Sequence, residues 1–195
     1  MTVPVYKLNL DINNILNPAW KKPFRDEFYV ESFDNFSEWV TIFKPSFIET
    51  LQNSLPITRL MVFNKPSSWG EESAHIDPGI LFALNIVHTL NHHLIKKMYQ
   101  NTESYMEWFS IKEGKEKPIR YSSANTPYIK YDPEEIDLIH RECLDTSAAI
   151  VQTNIPHRIK IGYGHRTCYS FRFANNFKDW NEAIDFYKSI GWISN

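Results

Sequence analysis

With 195 residues, 43% of them apolar, the chain has the material for one domain with a sizeable core. Its formal charge of −2 and scattered Lys and Arg leave no basic face for a nucleic acid, and no apolar run approaches the roughly 20 residues that cross a bilayer, so neither is an expected partner. Residues 1–4 lack a leader pattern, and Cys143 and Cys168 make neither a disulfide framework nor a zinc-ligand pair; the expectation is a reduced, cytoplasmic protein of open oligomeric state.

In chain order, residues 3–10 alternate weakly and predict a strand, and 13–23, rich in Asn, Pro and Lys, an irregular connection. Asp34 is the expected N-cap of a helix whose apolar positions, Phe36, Trp39, Val40 and Phe43, then Phe47, Ile48 and Leu51, follow helical spacing. Pro45 falls inside that pattern and predicts a kink or two short helices. Residues 57–63 read as a strand, 67–70 as a loop, and the apolar run 80–87 as a strand buried on both faces. His88 and His92 have the spacing of a helical metal pair, yet no acid accompanies them, and a polar excursion between strands accounts for 88–99 equally well. A strand is expected at 104–110, a charged turn at 112–117, and a long binding or lid connection at 118–131. Asp132-Pro133-Glu134-Glu135 opens the way helices open, with Ile136, Ile139 and Leu144 as a weak apolar side. Strands are expected at 148–155, continuing through 158–161, and at 166–173, with Gly162-Tyr163-Gly164 as a hairpin turn between the last two. A capping-box start at Asp179–Glu182 predicts a final helix ended by Gly191. Short strands with helices gathered at the two ends point to a β-sandwich or jelly roll with helical additions.

Two stretches carry chemistry. Ala74-His75-Ile76-Asp77-Pro78-Gly79 places a histidine and an aspartate two residues apart, and Asn154-Ile155-Pro156-His157 supplies a second histidine, with Arg166 nine residues on. Residues i and i+2 of a strand share a face. His75 and Asp77 can therefore look into one interior, and His157, at the end of a buried strand, can join them. Two imidazoles and one carboxylate with open coordination positions form the donor set of non-haem iron(II) sites. Pro156 has no amide hydrogen and argues for an edge or a bulge beside His157. On the returning arm of the expected hairpin Arg166 lies alongside His157, and its planar fork suits a carboxylate. Arg172 has the same strand parity and is the other candidate for that task. Asn85 and Asn154 are inward-facing polar candidates for bonds to a ligand or to buried backbone.

On these residues the chain resembles the 2-oxoglutarate/iron(II)-dependent dioxygenases, and more closely their small, single-domain bacterial and phage-type members. The resemblance is carried by Ala74-His75-Ile76-Asp77, Ala83-Leu84-Asn85-Ile86, Glu107-Trp108-Phe109, Thr153-Asn154-Ile155-Pro156-His157-Arg158 and Arg166-Thr167-Cys168-Tyr169-Ser170-Phe171-Arg172-Phe173, and covers roughly residues 57–173. It implies a mainly β single domain over 1–195, a double-stranded β-helix (cupin-like jelly roll) with an N-terminal helical region and a C-terminal helix. It further implies iron(II) held by His75, Asp77 and His157, and 2-oxoglutarate as co-substrate with its far carboxylate on Arg166. The reaction implied is hydroxylation of a small-molecule or peptidyl substrate with release of succinate and CO2. Two features depart from the family pattern: Arg166-Thr167-Cys168 stands where Arg-x-Ser is common, and Arg172 lies at a spacing from His157 that some branches use for their anchor.

A cupin-type metal-binding protein or isomerase, or an interaction module that has kept the fold alone, are the competing classes. Trp69, Tyr105, Trp108, Tyr121 and Tyr128 are candidates to line a substrate cleft, with Trp69, just ahead of His75, the first choice for its mouth.

Overall fold

The computed structural model describes residues 3–20, 28–66, 73–89, 103–121, 127–162, 166–174 and 177–194. Among them, twelve strands form two six-stranded antiparallel sheets. The first runs β1 (Val5–Lys7), β10 (Ser147–Gln152), β5 (Phe82–Thr89), β12 (Arg166–Phe173), β3 (Ile57–Lys65), β2 (Tyr29–Phe33). The second runs β7 (Arg120–Tyr121), β8 (Pro127–Tyr131), β4 (Ala74–Ile76), β11 (His157–Lys160), β6 (Tyr105–Ile111), β9 (Ile136–Cys143).

The first sheet is covered on both faces, and its central strands show why their sequences are so uniformly apolar. One face, through Leu60, Val62, Leu84, Ile86, Tyr169 and Phe171, packs on helices α2 (Phe36–Ile42), α3 (Pro45–Ser54) and the C-terminal helix Trp180–Ser189. The alternate positions, Ala83, Val87 and Cys168, meet Met106 and Trp108 of the second sheet. Phe43, between α2 and α3, joins the two layers, its ring 5.3 Å from Tyr169 and 5.2 Å from Phe171.

Pro45 breaks the predicted helix in two, as its missing amide hydrogen requires: α2 ends at Ile42, and Pro45 starts α3. The N-cap of α2 is Asn35 rather than Asp34. Its side chain accepts from the Glu38 amide at 3.1 Å, while the Glu38 carboxylate accepts from the Asn35 amide at 3.3 Å. Asp34 instead pairs with Arg59 at 3.0 Å. The C-terminal helix begins with its predicted Asp179 cap, and Gly191 follows it at φ 77°.

Four expectations are corrected. Residues 12–15 form a short helix, α1, that runs into the stretch 13–23 read as irregular, and β2 went unpredicted. Residues 133–135 make one 3-10 turn only; from Ile136 the chain is a strand, because pairing of β9 with β6 outweighs a local helical start. Residues 127–131 are a strand on the edge of β4, not open loop. His88 lies on β5, so helical spacing with His92 does not apply there. The loop 67–70, the stretch 90–99 and the turn residues 163–165 lie outside the described residues.

The fifth correction bears on the site. β11 does not continue β10, and it forms no hairpin with β12. It pairs with β4 and β6 in the second sheet, whereas β12 pairs with β3 and β5 in the first. A strand has two edges, and both are already taken in each case. The chain therefore crosses between the sheets from β10 to β11, through residues 153–156, and again from β11 to β12. Pro156 sits in the first crossing, just before an interior strand, and not in an edge or a bulge.

Leu60 is fully buried between the first sheet and the helices, whereas Leu138 is half exposed on β9. Leu60→Ala is expected to cost about 2–5 kcal/mol and Leu138→Ala less than about 0.5 kcal/mol, measured by denaturant unfolding.

Candidate metal centre

His75 and His157 are directly opposed residues of the β4–β11 pair. Opposed residues of antiparallel strands place their side chains on one face, and the two imidazoles lie 4.5 Å apart between ring centroids. Asp77 follows β4 in a tight turn: its amide donates to the Thr153 carbonyl at 3.0 Å, and its own carbonyl accepts from the Ile80 amide at 3.2 Å. Gly79, at φ 77°, supplies the left-handed step that turn needs. The turn brings the carboxylate back beside His75, with Oδ1 3.7 Å from Nε2.

One potential ligand atom from each of the three side chains lies within 4.8 Å of the other two, so His75, Asp77 and His157 could hold a metal ion. Their protonation suits that role. His157 Nδ1 is 3.0 Å from the Ile155 carbonyl and His75 Nδ1 is 3.3 Å from the Ser73 carbonyl. A carbonyl can only accept, so in each ring Nδ1 carries the hydrogen and Nε2 keeps its lone pair for an ion. Burial, and then the neighbouring His75, pull the His157 pKa down to about 4, leaving a neutral imidazole at physiological pH. Burial would raise the Asp77 carboxyl, but the Arg172 guanidinium, followed by the two imidazoles, outweighs it and holds the carboxyl below the ordinary aspartate range. A neutral imidazole and an ionised carboxylate are ligands ready for use.

The triad lies on the wall of a cavity of about 630 Å³ between the sheets, a volume in the range of small-molecule sites. Of the two candidate arginines, Arg172 lines this cavity and pairs directly with the triad, its Nη2 3.0 Å from Asp77 Oδ2. Arg166 starts the same strand six residues earlier and is 1% exposed; it does not line the cavity, and its Nε and Nη1 have no hydrogen-bond partner. Strand pairing therefore gives no ground for setting Arg166 beside His157, since β11 and β12 belong to different sheets. Asn85 lines the cavity with its Oδ1 buried and unpartnered. Asn154 is exposed and accepts from Gln152 Nε2 at 2.9 Å, so the expectation that it faces inward is wrong: the crossing turns it to solvent.

Of the aromatic candidates, Tyr128 lines the cavity. Trp108 is core, its Nε1 donating to the Gln152 carbonyl at 2.9 Å; Tyr105 donates to Glu103 at 2.8 Å; Tyr121 is exposed. Trp69 lies outside the described residues. Sequence reading missed Lys65 and Ser170, both buried on the cavity wall. Parity along β3 with Arg59, Met61 and Phe63, and along β12 with Arg166 and Arg172, was the signal that could have found them.

A support sits behind His157. Glu107, fully buried on β6, accepts from Arg158 Nε of β11 at 2.7 Å and from Arg141 Nε of β9 at 2.7 Å. Both arginines are its cross-strand partners, so one carboxylate on β6 ties together β11, which carries His157, and β9 on the other side.

Two outcomes are expected. Anaerobic titration with a divalent transition metal gives one ion per chain, and His157→Ala or Asp77→Ala weakens it by more than about tenfold, since losing mere supports of ligands already costs about 10- to 100-fold. The metal-free protein loses stability as the pH falls from 6.5 to about 4, because unfolded His157 takes up a proton across that window and folded His157 does not. The loss reaches up to about 3 kcal/mol, read as denaturant midpoints, and His157→Asn flattens that part of the profile.

No protein-family model matches the chain, and no curated protein matches it. Among solved structures it is similar to the E. coli protein ycfD, at 16% identity and a TM-score of 0.38, over 75% of this chain and 32% of that one, so it spans about a third of that protein's length.

Proposed function

We propose that the protein is a non-haem iron(II)- and 2-oxoglutarate-dependent oxygenase of the dioxygenase family it resembles, hydroxylating a small-molecule or peptidyl substrate on a double-stranded β-helix. The observation that carries the reading is the two-histidine, one-aspartate set on a cavity wall, with buried arginine donors still lacking a partner. The strand order supports the fold assignment. Within the two sheets, β10-β5-β12-β3 faces β4-β11-β6-β9, and from β3 to β6 and again from β9 to β12 the chain alternates between them, the habit of a jelly roll. Two imidazoles and one carboxylate leave positions open for a co-substrate and oxygen, which favours iron(II) over a closed structural ion.

The overall reaction is R–H + O2 + 2-oxoglutarate giving R–OH, succinate and CO2. One oxygen atom goes to each organic product, and the co-substrate supplies the electrons. Bound iron would supply the oxygen activation. The protein's own residues hold, orient and shield. Two methylene groups separate the chelating end of 2-oxoglutarate from its far carboxylate, so the anchor for that carboxylate must stand back from the metal. Arg172 touches a metal ligand and is too near. Arg166, at the start of β12 six residues before Arg172 and on the same face, stands back from the triad behind the cavity wall, and its guanidinium, with Nε and Nη1 buried and unpartnered, would be stabilised by a carboxylate that reaches it. The thiol of Cys168, pushed up by burial, stays protonated beside it, a weak donor in place of the usual serine hydroxyl. Asn85 adds a polar contact on the adjacent strand, and Ala83 and Met106 give the cavity dry walls.

Anaerobic addition of iron(II) and 2-oxoglutarate is expected to produce the weak visible band of a chelate, and aerobic incubation to produce succinate. Arg166→Gln should weaken 2-oxoglutarate binding by about 10- to 150-fold, the worth of a hydrogen bond to a charged group. No band and no succinate would sink the reading. Metal-dependent activity untouched by Arg166→Gln would point to a cupin-type isomerase.

A further inference from the structure

Beyond the triad, much of the cavity wall is apolar. Val30 of β2 and Met61 and Phe63 of β3 line it from the first sheet, and Tyr128 of β8 lines it from the second. Val30 and Phe63 are opposed residues of the β2–β3 pair, and Met61, two residues before Phe63, shares their face. On the other sheet Ile76 is opposed to Ile129, so Tyr128, the next residue along, comes level with the metal-ligand candidate Asp77. The protein does not close this surface by itself. Met61, Phe63 and Tyr128 are half-buried, and Val30 is 43% exposed. Among the described large apolar side chains left exposed, Val30 is the one that lines the cavity.

We propose that the group hydroxylated at this site is uncharged and apolar, an alkyl or arylalkyl group held between Val30 and Met61 on one sheet and Tyr128 on the other. The inference rests on the oxygenase reading and narrows its substrate class.

Apolar surface facing water in a slot is stabilised by whatever apolar surface replaces the water. The slot also limits shape. Facing sheets stand about 10 Å apart, and side chains from both walls take up much of that spacing, which leaves room for one ring or one branched alkyl chain. An aromatic substrate gains further by packing on the Tyr128 ring. Charge argues the same way, because the charged side chains on the wall already have partners within the protein. Arg59 is met by Asp34 at 3.0 Å, Arg172 and Asp77 hold each other at 3.0 Å, and the Lys65 ammonium lies over the rings of Phe28 and Phe63 at 5.6 and 5.9 Å. A charged substrate group would leave water and have to displace one of these partners. An apolar group displaces none.

The test is anaerobic calorimetry on manganese(II)-loaded protein, with and without 2-oxoglutarate. One set of probes is the N-acetyl amides of leucine and phenylalanine, beside those of asparagine, aspartate and lysine; asparagine has the branching of leucine without its apolar character. The other set is 3-methylbutanol and 2-phenylethanol, which carry the same apolar groups without a backbone, beside glycerol. In at least one set an apolar probe is expected to bind about 10- to 150-fold tighter than its polar counterpart, the worth of burying one such side chain. Stronger binding of the amides would assign the group to a peptide, and stronger binding of the alcohols to a small molecule; both are forms of the proposal. Val30→Asp, at an exposed position, and Tyr128→Ala should each remove most of the preference, while Tyr128→Phe keeps it. Leu138→Asp, half exposed on β9 and off the cavity wall, should leave it intact. The inference is overturned if no apolar probe outbinds its counterpart, or if the aspartate or lysine amide binds tightest. It is equally overturned if the preference survives both Val30→Asp and Tyr128→Ala, or if Leu138→Asp removes it as they do. Failure of the wild-type protein to bind 2-oxoglutarate, titrated by itself, is a separate result and counts against the oxygenase reading.

Discussion

The site depends on the register of one short strand pair. β4 and β11 are joined through the single opposed pair His75 and His157. Side chains alternate along a strand, so a slip of one residue would turn an imidazole out of the cavity. Several contacts hold that register from outside the site. Ala74, His75 and Ile76 pair with β8 on the other edge of β4. Glu107 ties β11 to β6 through Arg158, the Phe109 amide donates to the Pro156 carbonyl at 2.8 Å, and Trp108 reaches the Gln152 carbonyl. The crossing that delivers His157 is thus fixed at both ends by buried hydrogen bonds.

The same sandwich divides its labour between two cores. The layer between the first sheet and the helices is apolar and aromatic, and it contributes most of the burial. The layer between the sheets is smaller, and its walls include Lys65, Asn85, Ser170 and Arg172, with Arg166 buried on the same face of β12. Charged groups between sheets lower stability unless something meets them. A fold whose stability rests on its helix-covered face can hold such groups on the other face, and unmet donors there are where a ligand binds best. Arg172 is such a group: it lines the cavity, its Nη2 holds Asp77, a metal-ligand candidate, and its Nε and Nη1 are buried without a hydrogen-bond partner.

Much of this was legible in the sequence. Period-3.6 spacing marked α2, α3 and the C-terminal helix and alternation marked β12, because each buries a face and the burial fixes the period, while β5 was legible as a continuous apolar run and β3 and β6 as strand-favouring runs. The misses have a common cause. Residues 133–143 begin like a helix, and only pairing with β6, whose partner residues lie far earlier in the chain (Ile111 for Ile136, Tyr105 for Cys143), makes 136–143 a strand. Residues 127–131 look like loop because their partner is the three-residue β4. Lys65 reads as the end of a strand until parity and packing put it on the cavity wall.

The sequence by itself determined the ligand types: two histidines and an aspartate in an order and spacing that a strand converts into a shared face, with arginines to follow. Those facts depend on covalent spacing and backbone geometry, which are local. Tertiary structure decided the rest. It sent β11 and β12 to opposite sheets, removing the hairpin that seemed to set Arg166 beside His157, and it placed Arg172 against Asp77. It also turned Asn154 to solvent and Asn85 to the cavity. Which strand edges pair is settled by competition among all strands for a limited number of edges and buried faces, and local sequence holds no record of that competition.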